Sequence, residues 1–210
     1  AQGWDAYGID VNADYADRGR EYLRDVLGTD PERLRLIGGD FIYPFPDGWF
    51  DIVMSDQVIE HVGDLNHFAA EVSRVSAPDA VGMHIYPAKW RPVETHLLTP
   101  FAHWLPKGPV RRKAISAMLR MGRAARYFEE YSHADRVIIY SLFSEDETFY
   151  RSIRNTVATL ARHGLHTDVR LASREKIAFH LPKAPRAALP LLGWLYRHYA
   201  SVVLYTRKAP

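Results

Sequence analysis

The chain contains no cysteine in 210 residues. Disulfides, thiolate metal sites and cysteine nucleophiles are therefore excluded. The absence fits a cytoplasmic location. No apolar run approaches the roughly 20 residues needed to cross a bilayer, and no signal peptide is visible. A charge excess is also missing. The 27 Lys and Arg stand against 25 Asp and Glu, a formal net charge of +2. A balance so close gives no reason to expect a nucleic-acid partner. Internal repeats and low-complexity tracts are absent too.

What is present is ordinary globular material. Hydrophobic residues make up 47% and charged residues 25%. That composition and length suit one domain with a real core and room for an inserted subdomain. The chain opens without Met on Ala1-Gln2-Gly3-Trp4 and runs almost at once into an apparent strand. It reads as a fragment whose beginning is missing.

Periodicity supplies the rest of the outline. Residues 6–9 read as a buried strand ending at Asp10. A helix then runs from Asn12 or Ala13 to about Leu27, with Tyr15, Gly19, Tyr22, Leu23 and Val26 as its packed face. Residues 34–37 form the next strand and exit through Gly38-Gly39-Asp40. Residues 51–54 read as a fully buried strand, 66–75 as a helix and 81–86 as a strand, with Ala77-Pro78-Asp79 a turn. Strand and helix alternate in this way in an α/β fold with a mostly parallel sheet and helices on both faces.

Past Pro87 the pattern changes. Five prolines between 87 and 109 break long elements, and Trp90, Phe101 and Trp104 bring in aromatics. A basic helix follows from about Pro109 to Tyr127. This stretch, 89–135, reads as a cap or substrate insertion between a core at 1–88 and the rest of the core at 136–210. Residues 136–140 read as a strand, Ser144 as the cap of a helix ending near His163, and 167–171 as the penultimate strand. A helix over 189–199 and a last strand over 201–206 complete the chain.

Several side chains fit a nucleoside pocket at the strand ends, where open α/β sheets bind ligands. The two oxygens of Asp10 suit a ribose diol, although an acid at a helix start is also favoured by the macrodipole. Asp40 and Phe41 stand at the next exit. Ser55, Asp56 and Gln57 leave the strand after that. Glu60 and His61 lie just beyond, and His61 is the best base candidate, since an imidazole takes a proton near neutral pH. No metal is expected, because neighbours such as Glu60 and His61 do not share one helical face. In the cap, Glu94, His96, His103 and Trp104 are polar groups among aromatics and read as substrate contacts.

The order Gly39-Asp40-Phe41, a Pro-Phe-Pro turn, Phe50-Asp51-Ile52-Val53, then Ser55 to Val62 resembles the middle of a class I S-adenosylmethionine-dependent methyltransferase of the small-molecule type. The resemblance covers roughly the first 90 residues and returns at the C-terminus, where it implies an antiparallel last strand. It implies S-adenosylmethionine as cofactor, with Asp10 at the ribose, Asp40 and Phe41 at the adenine, and Ser55 and Gln57 beside the methionine portion. It implies a small-molecule, sugar- or lipid-linked acceptor. The family's glycine-rich turn does not precede Asp10 in this sequence, so the 210-residue chain is expected to bind the cofactor poorly. A nicotinamide-dependent oxidoreductase on a similar sheet is a second reading, though no Tyr-x-x-x-Lys pair supports it. A degenerate, non-catalytic module is a third. In that reading the basic helix contacts an anionic membrane.

Overall fold

The computed structural model describes residues 3–209. Ala1 and Gln2, which begin the opening discussed above, lie outside the described residues. Strand β1 (Gly8–Asp10) pairs in parallel with β2 (Leu34–Leu36), with Gly8 opposite Leu34 and Asp10 opposite Leu36. Between them, α1 (Ala13–Asp25) begins at Asn12, whose side chain accepts from the Tyr15 amide. Four strands form a second sheet in the order β3 (Phe50–Asp56), β4 (Ser76–Pro87), β6 (Ser201–Lys208) and β5 (Leu165–Asp168). Only β6 runs against the other three. The antiparallel last strand is thus present. Among the described residues no ladder joins β1 to β3.

The two sheets nevertheless face the same way. Tyr7 and Phe50, at the starts of β1 and β3, approach with ring centroids 6.2 Å apart, and Phe45 packs on both. At the opposite end, His67 Nε2 bonds the Phe41 carbonyl at 3.1 Å. His67 lies in the first turn of α2 (Leu65–Val75), which starts just past the exit of β3. Arg74 ties the intervening segment down through the carbonyls of Tyr43 and Phe45, and Glu71 through the Tyr43 amide.

The main core lies between the sheet and two helices, α2 and α5 (Ile153–Arg162). Leu65, Phe68, Ala69 and Val72 meet Leu160, Leu165, Val202 and Leu204 there. A second cluster, Leu97, Ala102, Ile115 and Tyr140, lies in the stretch between β4 and α5. It joins α3 (Pro109–Arg120) to α4 (His133–Leu142). Helices α6 (Val169–His180) and α7 (Leu189–Tyr199) pack on each other and on β6.

Several local readings of the sequence are corrected. The expected strand at 136–140 is helical. Ser132 caps α4 by accepting from the Asp135 amide, and the Tyr140 hydroxyl bonds the Ala125 carbonyl at 2.8 Å. That tertiary anchor outweighs the β-branched run. Ser144 is not an N-cap. The chain makes a π-helical turn at Phe143–Glu147, and Ser152 caps α5 instead. The penultimate strand stops at Asp168, because its carboxylate caps α6 by accepting from the Leu171 amide at 2.8 Å. The turn at Ala77-Pro78-Asp79 lies inside β4 as an irregularity, with Asp79 at φ 62°. The face of α1 read as packed is open. Tyr15, Tyr22 and Val26 are exposed, and Ala16 is the buried residue. Residues 51–54 are not fully buried either, since Met54 is 61% exposed.

Gly82 tests the sheet. It faces Thr206 across the β4–β6 ladder. A Cβ there would lie 2.2 Å from Thr206 Oγ1 and 3.1 Å from the Val53 carbonyl oxygen. Gly82→Ala is expected to cost roughly 1–3 kcal/mol by overpacking. Chemical denaturation at neutral pH measures it, and an unchanged midpoint would contradict this packing.

Candidate active site

The strand exits converge on one edge. The Ile37 amide donates to the Asp10 carbonyl at 2.9 Å, which sets the exits of β1 and β2 side by side. Asp10 accepts from the Asn12 amide at 2.8 Å, and Asp40 from the Ile42 amide at 3.3 Å. Among the described residues neither carboxylate enters an ion pair. Each therefore keeps an oxygen available to a polar ligand. Phe41 has a left-handed backbone, φ 54°, and an exposed ring. Gln57 is likewise left-handed, φ 55°, and its amide donates to Ile85 at the exit of β4. Non-glycine residues at positive φ cost free energy and cluster at ligand sites. Ser55 stands apart, because its hydroxyl bonds Nδ1 of the buried His84 at 2.8 Å.

Beyond Gln57 the chain makes a 3-10 turn at Ile59–His61, and the cap closes on it. His61 Nδ1 bonds the Glu147 carbonyl at 2.7 Å. A carbonyl only accepts, so Nδ1 carries the proton and Nε2 of the neutral ring keeps its lone pair. That Nε2 lies 3.2 Å from Nε2 of His96. His96 Nδ1 in turn bonds Glu94 at 2.9 Å. Glu94 is buried and also accepts from the amides of His96 and Leu97 and from the Tyr150 hydroxyl. Burial alone would raise the Glu94 pKa. The hydrogen bonds from His96 and Tyr150 and from the two amides outweigh it and hold the carboxyl at about 2. The Glu94 bond raises the pKa of His96. Tyr150 is pushed up by burial and by the Glu94 charge.

Glu60 adds a second carboxylate. It is 1% exposed, and neither oxygen has a hydrogen-bond partner among the described residues. Burial raises its pKa to about 7. His103 is buried, and both ring nitrogens lack partners. Burial lowers its pKa to about 4, with Glu94 raising it and Arg111 lowering it by smaller amounts. His103, Arg111, Phe149, Tyr150, Lys107 and Arg151 line a cavity of about 280 Å³. Trp104 does not join them. It stacks edge-on against Trp90 and Phe101 and donates to the Arg91 carbonyl at 3.1 Å.

The sequence reading missed Tyr150, Glu147 and the pairing of His61 with His96. These contacts span 35 to 86 residues of chain. No local pattern carries such a signal. The basic helix also differs from its sequence appearance. Arg111 is buried and bonds the carbonyls of Leu105 and Ser144, while Arg112 pairs with Glu145 at 2.7 Å. Arg111 is thus taken up in the fold, while the Arg112 side chain stays 53% exposed. No helix among the described residues is long and apolar enough to cross a membrane.

Comparison with known proteins agrees with this architecture. The family model described as a methyltransferase domain matches residues 1–83. The probable chloroplastic tocopherol O-methyltransferase of Oryza sativa subsp. japonica is 36% identical over 78 residues, 37% of this chain and 21% of that protein. The chain thus spans about a fifth of the length of the curated relative it matches. Among solved structures, an S-adenosylmethionine dependent methyltransferase from Mesorhizobium loti superposes with a TM-score of 0.50 at 13% identity, over 97% of this chain and 81% of that one. A geranyl diphosphate C-methyltransferase from Streptomyces coelicolor A3(2) gives 0.51 at 16% identity, over 97% and 62%. That structure is a complex with Mg2+, geranyl diphosphate and S-adenosyl-L-homocysteine.

The chain thus shares an α/β fold with solved methyltransferases. Its first 83 residues match the methyltransferase-domain family model.

Proposed function

We propose that the chain is an S-adenosylmethionine-dependent methyltransferase acting on a small-molecule, sugar- or lipid-linked acceptor. The observation that carries this is the placement of Asp10 and Asp40. Both stand beyond the adjoining exits of β1 and β2, outside any ion pair among the described residues. Asp10 then accepts from the ribose hydroxyls. Asp40 and Phe41 hold the adenine, and Gln57 lies toward the methionine portion. The bound sulfonium supplies an electrophilic methyl group. The chain supplies position, which alone accelerates such a transfer greatly. His61, His96 and Glu94 form an array that takes up a proton where the acceptor must lose one. The cavity beside His103 and Tyr150 receives the acceptor. Its arginines and lysine favour an acceptor bearing a polar or anionic group.

Two arms test this. With millimolar ligand, which registers even weak binding, S-adenosylhomocysteine is expected to raise the melting temperature and NADH is not. Asp10→Ala and Asp40→Ala should each weaken the nucleoside affinity roughly 10- to 100-fold, as expected for losing hydrogen bonds to a charged acceptor. Protection by NADH instead, or affinity indifferent to both substitutions, overturns the reading. Transfer of a labelled methyl group by the full-length protein to candidate acceptors then identifies the substrate.

A further inference from the structure

We infer that Glu60, His61 and His96 form a binding site for a divalent transition-metal ion. A carboxylate oxygen of Glu60 and one ring nitrogen from each histidine lie within 4.8 Å of one another. The two Nε2 atoms are 3.2 Å apart. Two nitrogens bound to a tetrahedral ion at 2.0–2.1 Å would sit about 3.3 Å apart. The histidines therefore already stand at the spacing that joint ligation requires.

Two further observations point the same way. Metal-bound histidines donate their other ring N–H to a carboxylate or a backbone carbonyl, which fixes the tautomer and aims the lone pair. Here His96 Nδ1 is held by Glu94 and His61 Nδ1 by the Glu147 carbonyl. Both rings thus direct Nε2 inward. Glu60 is the independent sign. Its carboxylate is almost wholly buried, with both oxygens unpartnered. A buried carboxylate without donors is costly, and a cation beside it removes that cost. The expectation from adjacency in sequence fails for a geometric reason. Glu60 and His61 lie in a 3-10 turn whose partner histidine comes from the cap, so no shared helical face is needed.

Two imidazoles and one carboxylate suit Zn2+, Co2+ or Fe2+ rather than Mg2+ or Ca2+. Three protein ligands leave a position for water or an acceptor oxygen. The site itself does not depend on the methyl-transfer reading. Its role in that reaction does: an ion there would bind the acceptor oxygen as a Lewis acid and ease loss of its proton. His61 would then be a ligand rather than a free base.

Metal alone is the probe. Calorimetric titration of the chain, freed of metal by a chelator, with Zn2+ should show one tight equivalent. Co2+ should give the intense visible absorption of a tetrahedral site. Glu60→Gln and His96→Ala should abolish both signals. Glu94→Gln, which disturbs the bond that holds His96 Nδ1, should weaken affinity by about 10- to 100-fold. His180→Ala, an exposed histidine elsewhere, serves as the control and should change nothing. Circular dichroism melts show whether each variant folds, and Glu60→Gln, being nearly isosteric, keeps the test open if His96→Ala does not. Absence of a stoichiometric equivalent in the parent chain, or equal affinity in folded Glu60→Gln, overturns the site. Because no S-adenosylmethionine is present, failure here leaves the methyltransferase reading standing, and the converse also holds.

Discussion

Glu94→Ala is expected to lower stability by roughly 3–5 kcal/mol, because several buried donors lose their shared acceptor at once. The carboxylate serves four donors at once: the His96 ring, the Tyr150 hydroxyl, and the amides of His96 and Leu97. Alanine leaves all four facing a hole in a region where Glu94 is only 3% exposed. For a domain of this size each kcal/mol moves the melting temperature by about 2–4 °C, so the midpoint should fall by roughly 10 °C. Glu94→Gln separates charge from shape. Its carbonyl oxygen can keep the two amides, and its NH2 can meet Tyr150 and His96 if both turn to accept. That variant should lose about 1–2 kcal/mol. It also moves the His96 proton to Nε2, toward His61. Calorimetric melts of the three proteins give the comparison. Equal stability of Glu94→Ala and the parent would mean that the cap is not anchored at this residue.

How much of this was legible in the sequence follows from the range of each interaction. The strand ending at Asp10 and the one that exits through Gly38-Gly39-Asp40 were readable, because a short apolar run with an acidic exit is a local signal. Helix α7 was read at its observed bounds, 189–199, for a similar reason: the apolar stretch is long and starts at a proline-compatible position. The open face of α1 could not be read. Tyr15, Tyr22 and Val26 repeat at helical spacing, but spacing does not say whether a surface exists for them to meet. The cap failed differently. The Val137-Ile138-Ile139-Tyr140 run has strand propensity, and only the bond from Tyr140 to the Ala125 carbonyl and the packing against Ile115 reveal why it is a helix. The site splits along the same line. Glu94, His96 and His103 stood out as polar residues in an aromatic setting. Their connection to His61, Glu147 and Tyr150 is tertiary, and periodicity cannot carry it. Ser55 has a tertiary partner that its local pattern does not reveal. Its position after an apolar strand matched a loop motif, yet its hydroxyl is bound to His84.

His103 makes the chain lose stability in acid, and His103→Phe is expected to remove that loss. The ring is buried against Tyr150, with centroids 4.8 Å apart, and neither nitrogen is bonded. Its folded pKa of about 4 lies below the ordinary imidazole value of 6.5. The unfolded chain therefore binds a proton below pH 6.5 that the folded chain refuses until about pH 4. Stability falls as pH drops through that window and rises as pH is restored. At pH 4.5 the contribution amounts to about 2–3 kcal/mol for this one group. Phenylalanine fills nearly the same space and keeps the contact with Tyr150. The gap between variant and parent should therefore widen by about 2–3 kcal/mol between pH 7 and pH 4.5. The difference between the two proteins is the right quantity, not the parent curve alone. His84, also held near 4 by burial, steepens the parent curve in the same direction. Glu60, raised to about 7, opposes it, because the folded chain holds its proton there while the unfolded chain has lost it. Both terms are common to the two proteins and cancel. Urea denaturation across the pH series reads the difference directly. Parallel curves for parent and variant would show that the His103 ring is charged or hydrated in the fold, and the closed packing of the cavity beside Tyr150 would then be wrong.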